Sequence, residues 1–111
     1  MVSFPQINLS ALRAVESVAR LGSLRLAAAD LGVTPGAVSQ QIIKAEAQLG
    51  CQIFDRTAKG LSLTPTGQDL AARLTEGFAT LARGVAAAQA RREDAITVSV
   101  APVFAAKWLV R

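Results

Sequence analysis

Residues 23–56, SLRLAAADLGVTPGAVSQQIIKAEAQLGCQIFDR, read as two helices joined by a tight turn and followed by the entry into a β-hairpin. A helix-turn-helix needs a small residue where its helices touch, a flexible residue in the turn and an apolar anchor in the second helix. Ala28, Gly32 and Val38 stand at those three places. Ala28 lets the backbones approach, Gly32 can take φ > 0 just past the first helix, and Val38 points back into the core. This is an arrangement that can place a helix in a DNA major groove.

Working outward, Asn8 or Ser10 can cap an earlier helix that runs to Leu21, with Leu9, Leu12, Val15 and Ala19 on one face, and Gly22 ends it. Ser23 caps a short helix over residues 24–31, whose Leu24, Ala27, Ala28 and Leu31 form the next apolar stripe. Thr34 followed by Pro35 is a helix start, an N-cap hydroxyl with proline at the first helical position. The third helix then reaches Leu49, with Val38, Ile42, Ala45 and Leu49 inward and Gly36, Ser39, Gln40 and Ile43 outward, and Gly50 stops it.

After Cys51 the period changes. Gln52-Ile53-Phe54 and Leu61-Ser62-Leu63 flank a polar segment, residues 55–60, and predict a two-stranded wing. Thr64-Pro65 opens a long helix to Arg92, about 28 residues and so roughly 42 Å at about 1.5 Å per residue. Along it Leu70, Leu74, Phe78, Leu81, Val85 and Ala88 recur at steps of four, four, three, four and three. A stripe of that length beside a small three-helix unit wants a partner, most simply a second copy of the chain. Arg91-Arg92-Glu93-Asp94 is a charged break, Ile96-Thr97-Val98-Ser99-Val100 alternates like a strand, and the segment from Pro102 onward suggests a short helix bearing Trp108. The expected organisation is a DNA-binding domain over residues 1–63, a dimerising linker helix over 64–92, and over 93–111 the opening of a further domain.

Composition supports a mainly α chain and narrows its chemistry. Hydrophobic residues make up 51% of the 111, but 22 are alanine, which marks a helix-rich chain more than a greasy one. No apolar run of about 18 residues occurs, and the first ten residues lack the basic and apolar segments of a secretory signal, so the cytoplasm is the expected location. Cys51 is the single cysteine; it cannot form an internal disulfide and reads as a small packing residue. The chain has no histidine and no tyrosine, no glycine-rich phosphate loop and no paired carboxylates. Neither an enzyme nor a metal site is expected, and no cofactor is implied. The net charge of +4 permits a polyanionic partner, but the excess of 12 basic over 8 acidic residues is modest, so placement matters more than total charge.

From Leu9 to Gly67 the sequence resembles the N-terminal DNA-binding domain of LysR-type transcriptional regulators. The residues that carry the resemblance are Leu12-Arg13-Ala14, Gly22-Ser23-Leu24, Ala27-Ala28, Leu31-Gly32-Val33, Ala37-Val38-Ser39, Gln41-Ile42, Glu46, Leu49-Gly50, Phe54-Asp55-Arg56 and Leu63-Thr64-Pro65-Thr66-Gly67. The tail VSVAPVFAAKWLVR is similar to the first strand and helix of that family's effector domain, in the branch of glycine-cleavage and β-lactamase-induction regulators. The resemblance implies a winged helix-turn-helix with a three-helix core and a two-stranded β wing, a dimerising linker helix, and a homologue about three times this length. It also implies that a chain this short binds DNA without answering to a small-molecule effector. Ile43, Ala45 and Arg25 depart from the family pattern, which more often has a basic or polar residue, leucine and threonine there.

With the third helix in the major groove, Pro35, Gly36, Ser39 and Gln40 meet the base edges, and the Gln40 amide can pair bidentately with adenine. Thr34 is both N-cap and phosphate neighbour. Arg56 and Lys59 on the wing and Ser23, Arg25 and Lys44 around the groove are expected to hold the backbone, which gives affinity and register without sequence information. Leu70, Leu74, Phe78, Leu81 and Val85 are the expected dimer seam. The alternative is a winged-helix module used for protein contacts alone, which Ile43 favours and which the polar Thr34, Ser39 and Gln40 oppose.

Overall fold

The computed structural model describes residues 7–57 and 60–99, with backbone alone over 93–99. In chain order the elements are α1 (Leu9–Leu21), α2 (Leu24–Leu31), α3 (Pro35–Leu49), β1 (Phe54–Thr57), β2 (Gly60–Leu63) and α4 (Pro65–Ser99). Each helix begins where a side chain can satisfy the free N–H groups of the first turn. Asn8 Oδ1 accepts from the backbone N–H of Ser10 at 2.8 Å and of Ala11 at 3.4 Å, so Asn8 and not Ser10 caps α1. Ser23 Oγ accepts from Leu26 at 3.2 Å, Thr34 Oγ1 from Ala37 at 3.1 Å and Thr64 Oγ1 from Gly67 at 2.9 Å. Gly32 adopts φ +71, the left-handed conformation that the turn between α2 and α3 requires.

α1 packs against both α2 and α3, and those two pack against each other. The core lies between them: Ala11, Ala14, Val15 and Val18 from α1, Ala27 and Ala28 from α2, and Val38, Ile42 and Ala45 from α3. Ile53 and Phe54 close its lower edge, and Leu24, Leu31, Leu49, Leu61, Leu63, Leu70 and Leu74 pack around it half-buried. The alanines bring the helix axes close where they cross. Leu9, expected inward, is 52% exposed. Steps of three residues precess by about 60° on a helix, so the spacing of Leu9, Leu12 and Val15 slides off the face that Ala11, Ala14 and Val18 define.

The hairpin is antiparallel, pairing Phe54 with Leu63, Asp55 with Ser62, Arg56 with Leu61 and Thr57 with Gly60. The expected wing is present, displaced along the chain: Gln52 and Ile53 precede the strand, and residues 55–57 belong to it. Asn8 N–H donates to Gln48 Oε1 at 3.0 Å, tying the start of α1 to the end of α3.

By compactness the chain divides into a first unit, Met1–Glu76, and a second, Gly77–Arg111. The first unit includes the opening turns of α4, where Ala71 is buried and Leu70 and Leu74 lie against the core. A polar network seals its outer face. The Ser17 hydroxyl donates to Asp30 at 2.9 Å, Arg20 donates to Asp30 at 3.0 Å and to Glu16 at 3.1 Å, and Thr75 donates to Glu16 at 3.0 Å. In the second unit α4 continues to Ser99, which corrects two expectations, a helix end at Arg92 and a strand beginning at Ile96. The charged residues 91–94 are ordinary helix residues, neither glycine nor proline occurs between Gly84 and Pro102, and a helix already propagating extends at little cost through a short β-branched stretch. The expected helix around Trp108 lies outside the described residues.

Candidate nucleic-acid interface

The geometry of α3 follows from its two faces. Val38, Ile42 and Ala45 are buried against α1 and α2, which leaves Pro35, Gly36, Gln40, Ile43 and Lys44 exposed and Ser39 half-buried. Thr34 and Pro35 stand at the helix start, so the first-turn N–H groups and the positive end of the helix dipole open on the same side as these residues. The side chains there are small, polar or branched, and none is aromatic.

Two open grooves flank the wing. One, of about 540 Å³, is lined by Ser23 and Arg25 at the start of α2 and by Arg56, Thr57 and Gly60 of the hairpin. The other, of about 460 Å³, lies between α3 and β1 and is lined by Ser39, Ile43, Glu46, Asp55 and Arg56 among others. Arg56 lines both, so Ser23, Arg25, Ser39 and Arg56, residues up to 33 positions apart in sequence, meet on one side of the first unit. Thr34, Pro35, Gly36, Gln40 and Lys44 share the solvent face of α3 without lining either groove. Lys59 lies outside the described residues.

What holds the hairpin to α3 is Glu46. Its Oε2 accepts from the backbone N–H of Ile53 at 2.9 Å and of Phe54 at 3.2 Å, satisfying two amides whose residues are buried. The sequence assigns Glu46 no such role, because a glutamate in the last turn of a helix carries no mark of a tertiary acceptor. At the other end of the hairpin Thr64 N–H donates to the Ile53 carbonyl at 3.0 Å and its hydroxyl to the Gln52 carbonyl at 2.8 Å. The wing is thus pinned at both roots.

The basic residues divide into two groups. Arg20 pairs with Glu16 and Asp30, and Arg73 with Asp69. Arg20 is held above its already high ordinary value, chiefly by the Glu16 hydrogen bond and then by Asp30. The Asp30 carboxyl is held below the usual range, first by the Ser17 hydroxyl and then by the Arg20 guanidinium. Arg25, Lys44 and Arg56 make no ion pair among the described residues. Arg13 and Arg83 make none either, so the cations beside α3 and on the wing are among those left without an internal counterion in the described residues.

Gln41 is half-buried, and its Oε1 is enclosed with no hydrogen-bond partner among the described residues. It faces a small cavity against Ser10, Arg13 and Ala14 of α1, away from the exposed arc that Gln40 occupies. Of the expected seam, Leu70 and Leu74 lie against the first unit's core, Phe78 is half-buried, and Leu81 and Val85 are 55% and 59% exposed. Among the described residues no group of His, Cys, Asp and Glu could hold a metal ion, and no helix is long and apolar enough to cross a membrane.

Comparison with known proteins locates this architecture. Residues 9–68 match the family described as bacterial regulatory helix-turn-helix protein, lysR family. The glycine cleavage system transcriptional activator of Escherichia coli is 42% identical over 103 residues, 92% of this chain and 34% of that protein. The HTH-type transcriptional activator AmpR of Rhodobacter capsulatus is 38% identical over 107 residues, 96% of this chain and 37% of the relative. The chain thus spans about a third of the length of these relatives. Among solved structures, the BenM DBD in complex with catB site 1 DNA superposes with a TM-score of 0.72 at 23% identity, over 78% of this chain and 97% of that one. The CbnR DBD–DNA complex gives 0.67 at 23% identity, over 78% and 99%. These two likenesses are of fold.

Proposed function

Since this chain belongs to the lysR family of bacterial regulatory helix-turn-helix proteins, we propose that it is a sequence-specific double-stranded DNA-binding transcriptional regulator and not an enzyme. The observation that carries the reading is the placement of Arg25, Lys44 and Arg56, which make no ion pair among the described residues, beside a helix face of small and polar residues. Phosphates supply the missing counterions, and the bases meet Pro35, Gly36, Ser39 and Gln40. Thr34 and the α3 N-terminus take a phosphate at the groove edge, Ser23 contributes a hydroxyl at the start of α2, and Lys59, which follows β1 in sequence, supplies a further backbone contact. The relatives' printed names, transcriptional activators among them, agree with this assignment, and such a protein works in the cytoplasm, where bacterial DNA lies.

A reader of this size covers one half-site, so the working unit is a homodimer. Leu81 and Val85, with Phe78, form its seam on α4; Leu70 and Leu74 contribute to it while also covering the first unit's core. Titration with duplex DNA over a range of salt concentrations tests the reading. Binding with an affinity that falls steeply as salt rises supports it, and either no binding at low salt or no salt dependence refutes it.

A further inference from the structure

Ile43 is a large aliphatic side chain, 52% exposed, on the helix that carries the proposed base contacts. At about 100° per residue, Pro35, Ser39, Ile43, Gly36 and Gln40 fall within an arc of about 140°, and Ile43 lies near its middle. The buried residues Val38, Ile42 and Ala45 occupy the adjoining arc, next to Pro35, and face the core. Any surface that meets Gln40 and Ser39 therefore meets Ile43 as well. Its flank opens on the groove shared with Ser39, Asp55 and Arg56.

The surroundings identify the chemistry of what it meets. A protein partner docks on clustered exposed aromatic or aliphatic anchors. The groove beside Ile43 is floored by Leu24, Ile42, Phe54 and Leu61, but these are buried or half-buried, and the exposed arc itself offers one isoleucine among glycine, proline, serine and glutamine. The neighbouring Arg56 makes no ion pair among the described residues and calls for an anion within reach of the same groove. The major groove of DNA offers both: phosphates at its edges and, on the base edges, a single apolar group, the thymine C5-methyl. Opposite a cytosine the same side chain would strip water from the N4 amino group and give it no acceptor.

We propose that Ile43 reads thymine, packing on the 5-methyl group of one base in each half-site and selecting it over cytosine at a position adjacent to the one Gln40 reads. The inference rests on the DNA-binding reading above and adds to it a discriminating contact made without hydrogen bonds. Burying one methyl group corresponds to about a fourfold change in Kd, or about 0.8 kcal/mol.

The experiment uses the whole chain, as wild type and as Ile43→Ala and Ile43→Lys, both changes at an exposed position. Duplexes are first selected by the wild type from a random library, then each thymine of the selected site is replaced singly by deoxyuridine, which removes the methyl and keeps base pairing. The expected result is one thymine per half-site at which uracil weakens the wild type about fourfold, with both variants indifferent to that exchange. Ile43→Lys should at the same time bind all duplexes more tightly at low salt. Selection of a site with no thymine whose methyl is sensed through Ile43 overturns the proposal while leaving DNA binding intact. Failure to select any duplex overturns both together.

Discussion

Gly67 on α4 sits so close to the carbonyl of Ile53 that no side chain fits between them: a Cβ on Gly67 would meet the carbonyl oxygen head-on and lie 3.0 Å from its carbon and 3.1 Å from Cγ2 of Ile53. The neighbouring backbone cannot give way, because the Ile53 carbonyl is already fixed by the Thr64 N–H and the Ile53 N–H by Glu46. Gly67→Ala would raise helix propensity in isolation, yet here overpacking wins. The expected loss is about 1–3 kcal/mol, read as a lower midpoint of urea unfolding. A midpoint equal to or above wild type would show that α4 can lift off the hairpin root without penalty.

Glu46 offers the complementary test at the other root. Glu46→Ala leaves the Ile53 and Phe54 amides without their acceptor in a setting that is 0% and 6% exposed. Stranding them should cost about 2 kcal/mol. Glu46→Gln retains a neutral acceptor and should cost about half as much. Hydrogen exchange at the two amides is the direct readout: both should exchange faster in the alanine variant, and unchanged protection would mean that Glu46 is not what holds the wing.

The Ser17–Asp30–Arg20 network makes stability depend on acid. The Asp30 carboxyl is held below its ordinary value of 3.8 in the folded chain, by the Ser17 hydroxyl first and the Arg20 guanidinium second. A carboxyl with a lower folded than unfolded pKa contributes fully above the unfolded value, and that contribution is lost as pH falls through the folded value. Wild type should therefore lose stability on acidification below about pH 4 more steeply than Asp30→Asn. Because the Arg20–Asp30 pair is 45% and 40% exposed, the difference should be small and should shrink in added salt. Denaturation midpoints measured from pH 2 to 6 for both proteins decide it; parallel curves would count against the network.

Local chemistry made most of this fold legible. Thr34-Pro35 and Thr64-Pro65 announce helix starts, Gly32 announces the turn, and each was found doing what its residue type predicts. Contacts between distant backbones left no comparable mark. Gly67 stood in the sequence as part of a motif with no stated reason, because the reason is the Ile53 carbonyl, 14 positions away. Glu46 was hidden for the same cause, and Gln41, adjacent to Gln40 and chemically identical, turns inward only because of where α1 lies. Periodicity misled at both ends of the chain: three-residue steps placed Leu9 inward, and a five-residue alternation outweighed the helical context that carries α4 to Ser99.

On DNA, Gln40 and Arg56 should fail in different ways. Gln40→Ala removes a donor and acceptor pair from the exposed face of α3, so the preference for the selected duplex over random duplex should fall by about 1–3 kcal/mol. Arg56→Ala removes a phosphate counterion from the wing. It should weaken every duplex alike and reduce the salt slope by about 1. Equal losses on both duplexes for the glutamine variant would take Gln40 out of direct readout.

Leu81 and Val85, one turn apart on α4 and 55% and 59% exposed, set the last expectation. Two aliphatic residues at i and i+4 share a helix face, and burying each against a second copy is worth about 1.5–3 kcal/mol. The paired substitution Leu81→Glu and Val85→Glu puts two carboxylates on that face, where a symmetric partner would oppose them with two more. In light scattering the wild type should have the mass of a dimer and the double variant that of a single chain, with the helix content by circular dichroism unchanged. Affinity for a duplex holding two half-sites should drop to that for one, while single half-site affinity stays as in wild type, because the winged-helix unit is untouched. A double variant that keeps the dimer mass would move the seam elsewhere on the chain and separate the length of α4 from the spacing of half-sites on DNA.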